Sequence, residues 1–515
     1  MTTLPRTKDE MIPFGRPLFE DPAARALSRV GVVDVGSNSV RLVVFDGAAR
    51  SPAYFYNEKI MCGLGAGLGE SGRLNPKGRE RALAALRRFQ LLAEGMELAP
   101  LTSVATAAVR EATDGPEFCR EVERETGLKL WVIDGEEEAR LSAQGVLLGW
   151  PEANGLVCDI GGSSMELAIV GKGQVGTRVT SPLGPLKLQD VKGGKKGLRL
   201  HICRIIENLA ETMGTDHKRL FLVGGSWRAI ARLDMERRGY PLHVLHEYRM
   251  TPKSVRETLK WIAENDPGEL GSRTGTSQAR MSLVPIAAEV LRRLIKTFKP
   301  REIAVSSYGI REGMLYEQMP ERARKRDPLI EACRFAESRD ARRPGFGRAL
   351  YSFIRPIFRG EKSETRRLIK AACLLHDVTW RAHPDYRAEV CFDNATRANL
   401  GGLKHEERIW LGLALLHRYK KNRDGTRFSD LFSLIGDSRI VQAESVGKAM
   451  RFGAMFSVDD PEKVARLDWK PKKRELTLTL NETGRDLFGE VAQARFRALA
   501  SALDAQTVVR QPMRA

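Results

Sequence analysis

The feature that most restricts how this chain can fold is an apolar, β-branched run that ends in an acid, turns over small polar residues and resumes. It occurs first as Val32-Val33-Asp34-Val35-Gly36-Ser37-Asn38-Ser39-Val40-Arg41-Leu42-Val43-Val44-Phe45. It returns as Gly155-Leu156-Val157-Cys158-Asp159-Ile160-Gly161-Gly162-Ser163-Ser164-Met165-Glu166-Leu167-Ala168-Ile169-Val170. Each copy reads as a β-hairpin with a small glycine-containing tip, so two versions of one unit are expected. Glycine lets backbone amides approach a ligand, and successive amides in a tight turn make an anion-binding hollow. Serine and asparagine add donors for phosphate oxygens. An acid at the strand end repels a bare phosphate and instead suits a Mg²⁺ that the phosphate shares. Two such tips in one chain point to a phosphate clamp.

The rest of the sequence supplies candidate partners for that clamp. A length of 515 residues implies three or four domains. The formal charge of +19 implies a polyanionic partner or substrate. Nucleic acid is disfavoured, because zinc-finger spacing, an RNA-binding sheet signature and an Arg-rich tail are all missing from the sequence. The seven cysteines are scattered without metal-type spacing, which suits a reduced cytoplasmic setting. With no signal segment and no apolar run long enough for a bilayer, no membrane partner is expected.

Taken in order, residues 1–28 read as a flexible leader, and 63–69 as a mobile glycine-rich loop. An amphipathic helix is predicted over 76–95, with Leu83, Leu86, Phe89 and Leu92 on one face. A short strand from Val104 is expected to deliver Arg110 at its end, a residue suited to forked recognition of phosphate oxygens. Leu130 to Ile133 forms another strand. It leads to Glu136, Glu137 and Glu138, which suit a first helical turn, or a general base if one faces the phosphate. Residues 187–204 read as a basic, flexible loop around Gly193-Gly194, with Lys187, Lys192, Lys195, Lys196 and Arg199 as a candidate chain-binding passage. Phe221 to Ser226 and Ile303 to Gly313 are strand–glycine turn–helix junctions. At the first, Gly224, Gly225 and Ser226 offer a further anion contact. A helix is predicted from Ser282 to Leu294, interrupted early by Pro285. Residues 321–370 hold 15 Lys/Arg against 7 Asp/Glu, and helical patterning follows to about 455. A short strand (Leu476 to Leu480) and a closing helix from Glu482 to Leu503 end the chain.

The paired hairpins resemble the actin-like phosphotransferase superfamily, and more narrowly the exopolyphosphatase / guanosine pentaphosphate phosphatase (Ppx/GppA) family. The matching stretches are Asp34 to Ser39, Ala105 to Arg110, Gly135 to Arg140, Asp159 to Glu166, Val223 to Ser226 and Gly309 to Gly313. The resemblance implies an α/β fold of two actin-like (RNase H-like) lobes, 29–145 and 146–320. A helical His-Asp-phosphohydrolase-like domain (321–455) and a small α+β domain (456–515) would follow. It implies Glu138 as the base that activates water. Asp159 and Glu166, joined by Asp34, would hold Mg²⁺ or another divalent cation. Gly36, Ser37, Asn38, Ser39, Gly161, Gly162, Ser163, Ser164 and Arg110 would contact phosphate. The implied activity is processive hydrolysis of terminal phosphoanhydrides of inorganic polyphosphate, by a homodimer whose lobes close on substrate. The alternatives are removal of the 5′-terminal phosphate of guanosine pentaphosphate, or a non-catalytic polyphosphate sensor. Departures from the family pattern are Ser163 and Met165, where Gly and Thr are commoner, and Gly63, where an Arg commonly precedes the glycine-rich loop. His376-Asp377 resembles a His-Asp metal pair, but no histidine lies between His246 and His376, so a packing role is expected.

Overall fold

A computed structural model describes residues 25–511, so most of the expected leader lies outside the described residues. They form two compact units divided between Arg326 and Asp327.

The first unit is built on two sheets. One comprises β1 (Ala26–Val35), β2 (Ser39–Ala48), β3 (Ser51–Met61), β4 (Thr102–Ala105) and β5 (Leu130–Val132), in the order β3-β2-β1-β4-β5. The other comprises β6 (Gly155–Ile160), β7 (Met165–Gly171), β8 (Gln174–Ser181), β9 (Arg219–Val223), β10 (Arg249–Met250) and β11 (Glu302–Val305), in the order β10-β11-β9-β6-β7-β8. Apart from the added β10, the two orders are the same. In each, a hairpin pair is antiparallel and the strand on its other side is parallel. The repetition expected from the hairpins is therefore a repetition of whole sheets.

Alternation along β1 divides the apolar side chains between two cores. Val33 and Val35 face Leu83, Leu86 and Phe89 of the helix Pro76–Gly95. Val32 faces the opposite way, into a core shared with Val157, Phe221 and Val223 of the second sheet. Two helices fill that shared core, Gly135–Gly149 through Leu141 and Val146, and Ile310–Glu317 through Met314 and Leu315. The far side of the second sheet is covered by the helices Gly194–Met213, Gly225–Arg237, Pro252–Glu264 and Val284–Phe298.

The two central helices approach at backbone contact. A Cβ on Gly313 would lie 1.8 Å from Leu141 O, and one on Gly145 would lie 2.2 Å from Gly309 O. This crossing joins the helix that carries Glu138 in its first turn to the one that carries Arg311, and so fixes one wall of the site.

Several local expectations are corrected. β1 begins at Ala26, inside the stretch read as leader. β4 ends at Ala105, and Arg110 lies on a short helix, Ala107–Glu111, because the chain turns at Thr106. The basic segment is mostly helix: Lys195, Lys196 and Arg199 belong to Gly194–Met213, which starts where Gly193 takes a left-handed φ of 91°. Pro285 occupies the first turn of the helix Val284–Phe298 rather than interrupting it, since a first-turn nitrogen needs no hydrogen. The closing helix is two, Glu482–Leu487 and Glu490–Ala502, broken before Gly489.

The second unit is helical from Pro328 to Phe456, with its longest helices at His405–Tyr419 and Asp437–Phe456. A three-stranded sheet follows, in which β13 (Glu475–Leu480) lies between β12 (Ala465–Lys470) and β14 (Gln506–Arg510). The rings of Phe353, Phe452, Phe456, Phe488 and Phe496 pack together and tie this segment to the helices.

Gly313→Ala is expected to lower unfolding free energy by about 1–3 kcal/mol through overpacking of the helix crossing, measured by urea denaturation. An unchanged midpoint would show that the crossing can widen without cost.

Candidate active site

Both hairpin tips are shaped by one bond. Gly36 N donates to Ser39 O at 3.0 Å, and Gly161 N donates to Ser164 O at 3.0 Å. The tips face each other and touch, Ser163 Oγ donating to Ser37 Oγ at 3.0 Å. Between and beside them is a cavity of about 190 Å³. Asp34, Gly36, Ser37, Asn38, Ser39, Glu138, Asp159, Gly161, Gly162, Ser163, Ser164, Gly224 and Gly225 all line it, as expected from sequence. Gly224 is required there: its φ is +114°, and a Cβ would lie 2.5 Å from Ile160 O.

Glu138 reaches the cavity from the first turn of its helix, which Asp134 caps by accepting from Glu137 N at 2.7 Å. Its Oε2 has no hydrogen-bond partner and lies 3.5 Å from Arg110 Nη1. Arg110 does not line the cavity; it stands behind Glu138 and donates to Ile133 O at 2.7 Å. Glu166 is buried opposite Asp159 on the neighbouring strand, as the hairpin register requires. Its Oε1 accepts from Thr180 Oγ1 at 3.1 Å, and its Oε2 has no hydrogen-bond partner. Asp159 accepts a short hydrogen bond from Ser142. Burial, and then repulsion from Glu166 and Asp159, holds the Glu138 carboxyl well above the usual range. Burial and Asp159 push Glu166 up in the same way.

Cations line the same cavity. Arg41, Lys59, Arg228, Arg280 and Arg311 line the cavity, and none had been assigned a role from sequence. Arg311 donates to Asp34 Oδ2 at 2.9 Å, so Asp34 already has a cationic partner. Arg41 and Lys59 stand in register with Asp34 across β1, β2 and β3. In the second sheet the matching row is Asp159, Glu166 and Thr180. Aligning the repeats would have pointed to Arg41, which holds the position of Glu166. Arg228 and Arg280 sit on different helices and left no comparable signal.

The other expected contacts lie elsewhere. Ser226 is buried in its helix. Lys187 pairs with Glu111 at 2.8 Å, and Arg199 with Glu289 at 3.4 Å. Lys192, Lys195 and Lys196 are exposed and do not line the cavity. In the second unit His376 is buried against Cys373 O at 2.8 Å, while Arg342 holds Asp377 with bonds of 2.9 and 2.6 Å.

Among the described residues no three acidic, histidine or cysteine side chains form a preformed metal cage. The donor set does fit a cation completed by ligand oxygens. Asp159, half-buried in the cavity lining, and Glu166, buried beside it and outside that lining, are carboxylates whose charge is disfavoured as they stand, and Glu166 Oε2 is free to coordinate. Mg²⁺ is commonly held in this way, by one or two carboxylates plus phosphate.

Comparison with known families decides the assignment. Residues 43–322 match the model of the Ppx/GppA phosphatase family, and residues 351–508 match that of the exopolyphosphatase C-terminal domain. The chain belongs to the Ppx/GppA phosphatase family. Enzymes of this family hydrolyse phosphoanhydride bonds. Similar proteins include exopolyphosphatase 1 of Mycobacterium bovis, 25% identical over 57% of this chain and 89% of that one. Guanosine-5′-triphosphate,3′-diphosphate pyrophosphatase of Aeromonas hydrophila is 26% identical over 67% of this chain and 72% of its own. The crystal structure of an exopolyphosphatase from Cytophaga hutchinsonii superposes with a TM-score of 0.52 at 23% identity, over 57% of this chain and 98% of that one, and shares the α/β fold. Among the described residues no helix is long and apolar enough to cross a membrane.

The buried acids give this Ppx/GppA site a pH signature. Glu166 ionises less readily folded than unfolded, so its contribution to stability is full below pH 4.5 and declines as pH rises. In metal-free, phosphate-free buffer, Glu166→Gln should melt at a higher temperature than the unaltered protein, by a margin that grows from pH 5 to pH 8. A margin independent of pH would mean that Glu166 is not strained by its charge.

Proposed function

We propose that this cavity hydrolyses the terminal phosphoanhydride of inorganic polyphosphate, releasing orthophosphate. The observation that carries the reading is the meeting of the two serine tips at Ser37 and Ser163, with Glu138 lining the same cavity. Amides and hydroxyls of Gly36 to Ser39 and Gly161 to Ser164 hold the terminal phosphate. Glu138 takes a proton from water as the oxygen attacks the terminal phosphorus. The bond to the bridging oxygen breaks, and the chain leaves one phosphate shorter. A base with a carboxyl raised toward the working pH is suited to this task. Arg110 keeps Glu138 oriented. Arg41, Lys59, Arg228, Arg280 and Arg311 neutralise the following phosphates, and their number favours a substrate that stays bound between cycles. Asp159 and Glu166 would hold a divalent cation such as Mg²⁺, which supplies charge neutralisation at the phosphate oxygens. Positioning and charge stabilisation carry most of the acceleration, because phosphoryl transfer has a loose transition state. His376 and Asp377 serve packing.

A second reading is hydrolysis of guanosine pentaphosphate. It is favoured by the longer alignment, 67% of this chain, with the relative named for a guanosine substrate.

Glu138→Gln is expected to lower kcat by about 10²–10⁴-fold while polyphosphate affinity stays within a few-fold. Near-normal turnover would remove Glu138 from the role of base. Phosphate release from polyphosphate and from guanosine pentaphosphate, compared as kcat/KM on one preparation, separates the two readings. A ratio favouring the nucleotide would overturn the first.

A further inference from the structure

We propose that a second hollow, bordering the catalytic cavity at Ser307, binds the phosphates of a long substrate chain that lie beyond those held in the cavity. This inference rests on the polyphosphate reading above. The hollow has a volume of about 320 Å³, and Arg232, Glu236, His243, Arg273 and Ser307 are among the residues that line it. Ser307 lines the catalytic cavity as well, so the two spaces share a border. Its backbone is held on both sides of the residue. Ser307 N donates to His246 Nδ1 at 3.3 Å, and Ser307 O accepts from Arg228 Nη1 at 3.4 Å.

One helix, Gly225–Arg237, serves both spaces. Arg228 lines the catalytic cavity, and Arg232, four residues further on, lines the hollow. Residues at that spacing are neighbours on one helix face, so the cationic lining of the cavity continues past Ser307. Glu236 is the one carboxylate of the lining, and it is already paired: Arg273 Nε and Nη2 donate to its Oε1 at 3.0 and 2.8 Å. Arg232 is exposed and forms no ion pair among the described residues. The hollow therefore has an excess of positive charge, with His243 as a further donor. Guanidinium groups match the oxygens of phosphate. Among the described residues no Phe, Tyr or Trp lines the hollow, so it offers a nucleobase no such ring to stack on. A chain whose end lies at Ser37 and Ser163 must leave the cavity over its rim, and at Ser307 the rim gives onto these cations.

The test is calorimetric binding of long-chain polyphosphate, tripolyphosphate and guanosine pentaphosphate to the full-length Glu138→Gln protein, with and without Arg232→Gln. Removing Arg232 is expected to weaken long-chain binding about two- to fivefold, the worth of one exposed ion pair, and to leave tripolyphosphate binding as it was. Arg256→Gln removes an exposed arginine of the helix Pro252–Glu264 that lies outside the hollow, and should match the parent for every ligand. Long chains bound no better than tripolyphosphate, or unaffected by Arg232→Gln, would overturn the proposal. So would an equal loss for both chain lengths, or the same loss in the Arg256 variant, since either marks general surface charge. A loss confined to guanosine pentaphosphate would assign the hollow to a nucleoside and overturn it too. Absence of phosphate release from polyphosphate by the unaltered protein would instead remove the catalytic reading alone, because the binding comparison needs no turnover.

Discussion

Three neighbouring carboxylates, Glu166 buried and Glu138 and Asp159 half-buried at the cavity, are the constraint on which the first unit turns. Glu138, Asp159 and Glu166 leave water at the meeting of two sheets, and each is less ready to ionise for it. Such an arrangement lowers stability unless positive charge enters the cavity. The fold tolerates the cost because the acids lie at the ends of well-packed elements. Val157 and Leu167 anchor the second hairpin, and the helix behind Glu138 is locked by its glycine crossing with the helix of Arg311.

The cations of the cavity carry the complementary strain. Arg41, Lys59, Arg228, Arg280 and Arg311 all line the cavity, and burial, followed by repulsion from Arg311 and Arg41, depresses Arg228 to about 10. Asp34 offsets Arg311 and leaves the remaining cations available. A ligand that brings anionic oxygens, together with a cation for the acids, relieves both sets of charges at once. Substrate phosphate with a divalent ion has that composition.

The duplication gives this polarity a structural origin. The rows Asp34–Arg41–Lys59 and Asp159–Glu166–Thr180 occupy the same places in the two sheets. Only their first members agree. One row is cationic at its outer positions, Arg41 and Lys59, where the other has an acid, Glu166, and a hydroxyl, Thr180, so two copies of one frame carry different charges at matching places.

Much of this was legible in the chain itself. Alternating β-branched residues, acid-led glycine turns and the run of acids Glu136 to Glu138 are local features, and they set the hairpins, the loop donors and the helix that carries Glu138. The family resemblance also pointed to Glu138 and both loops as members of one site, and all of them line one cavity. Sequence could not reveal the cationic lining, whose members come from strand register and from helices far apart in the chain. Nor could it show that Arg110 lies 3.5 Å from Glu138 without lining the cavity, or that Lys195 and Lys196 ride a helix and do not line it. Local pattern determines where a turn or a cap forms; which charges then face one another depends on register and helix crossing, which exist only once the sheets have packed.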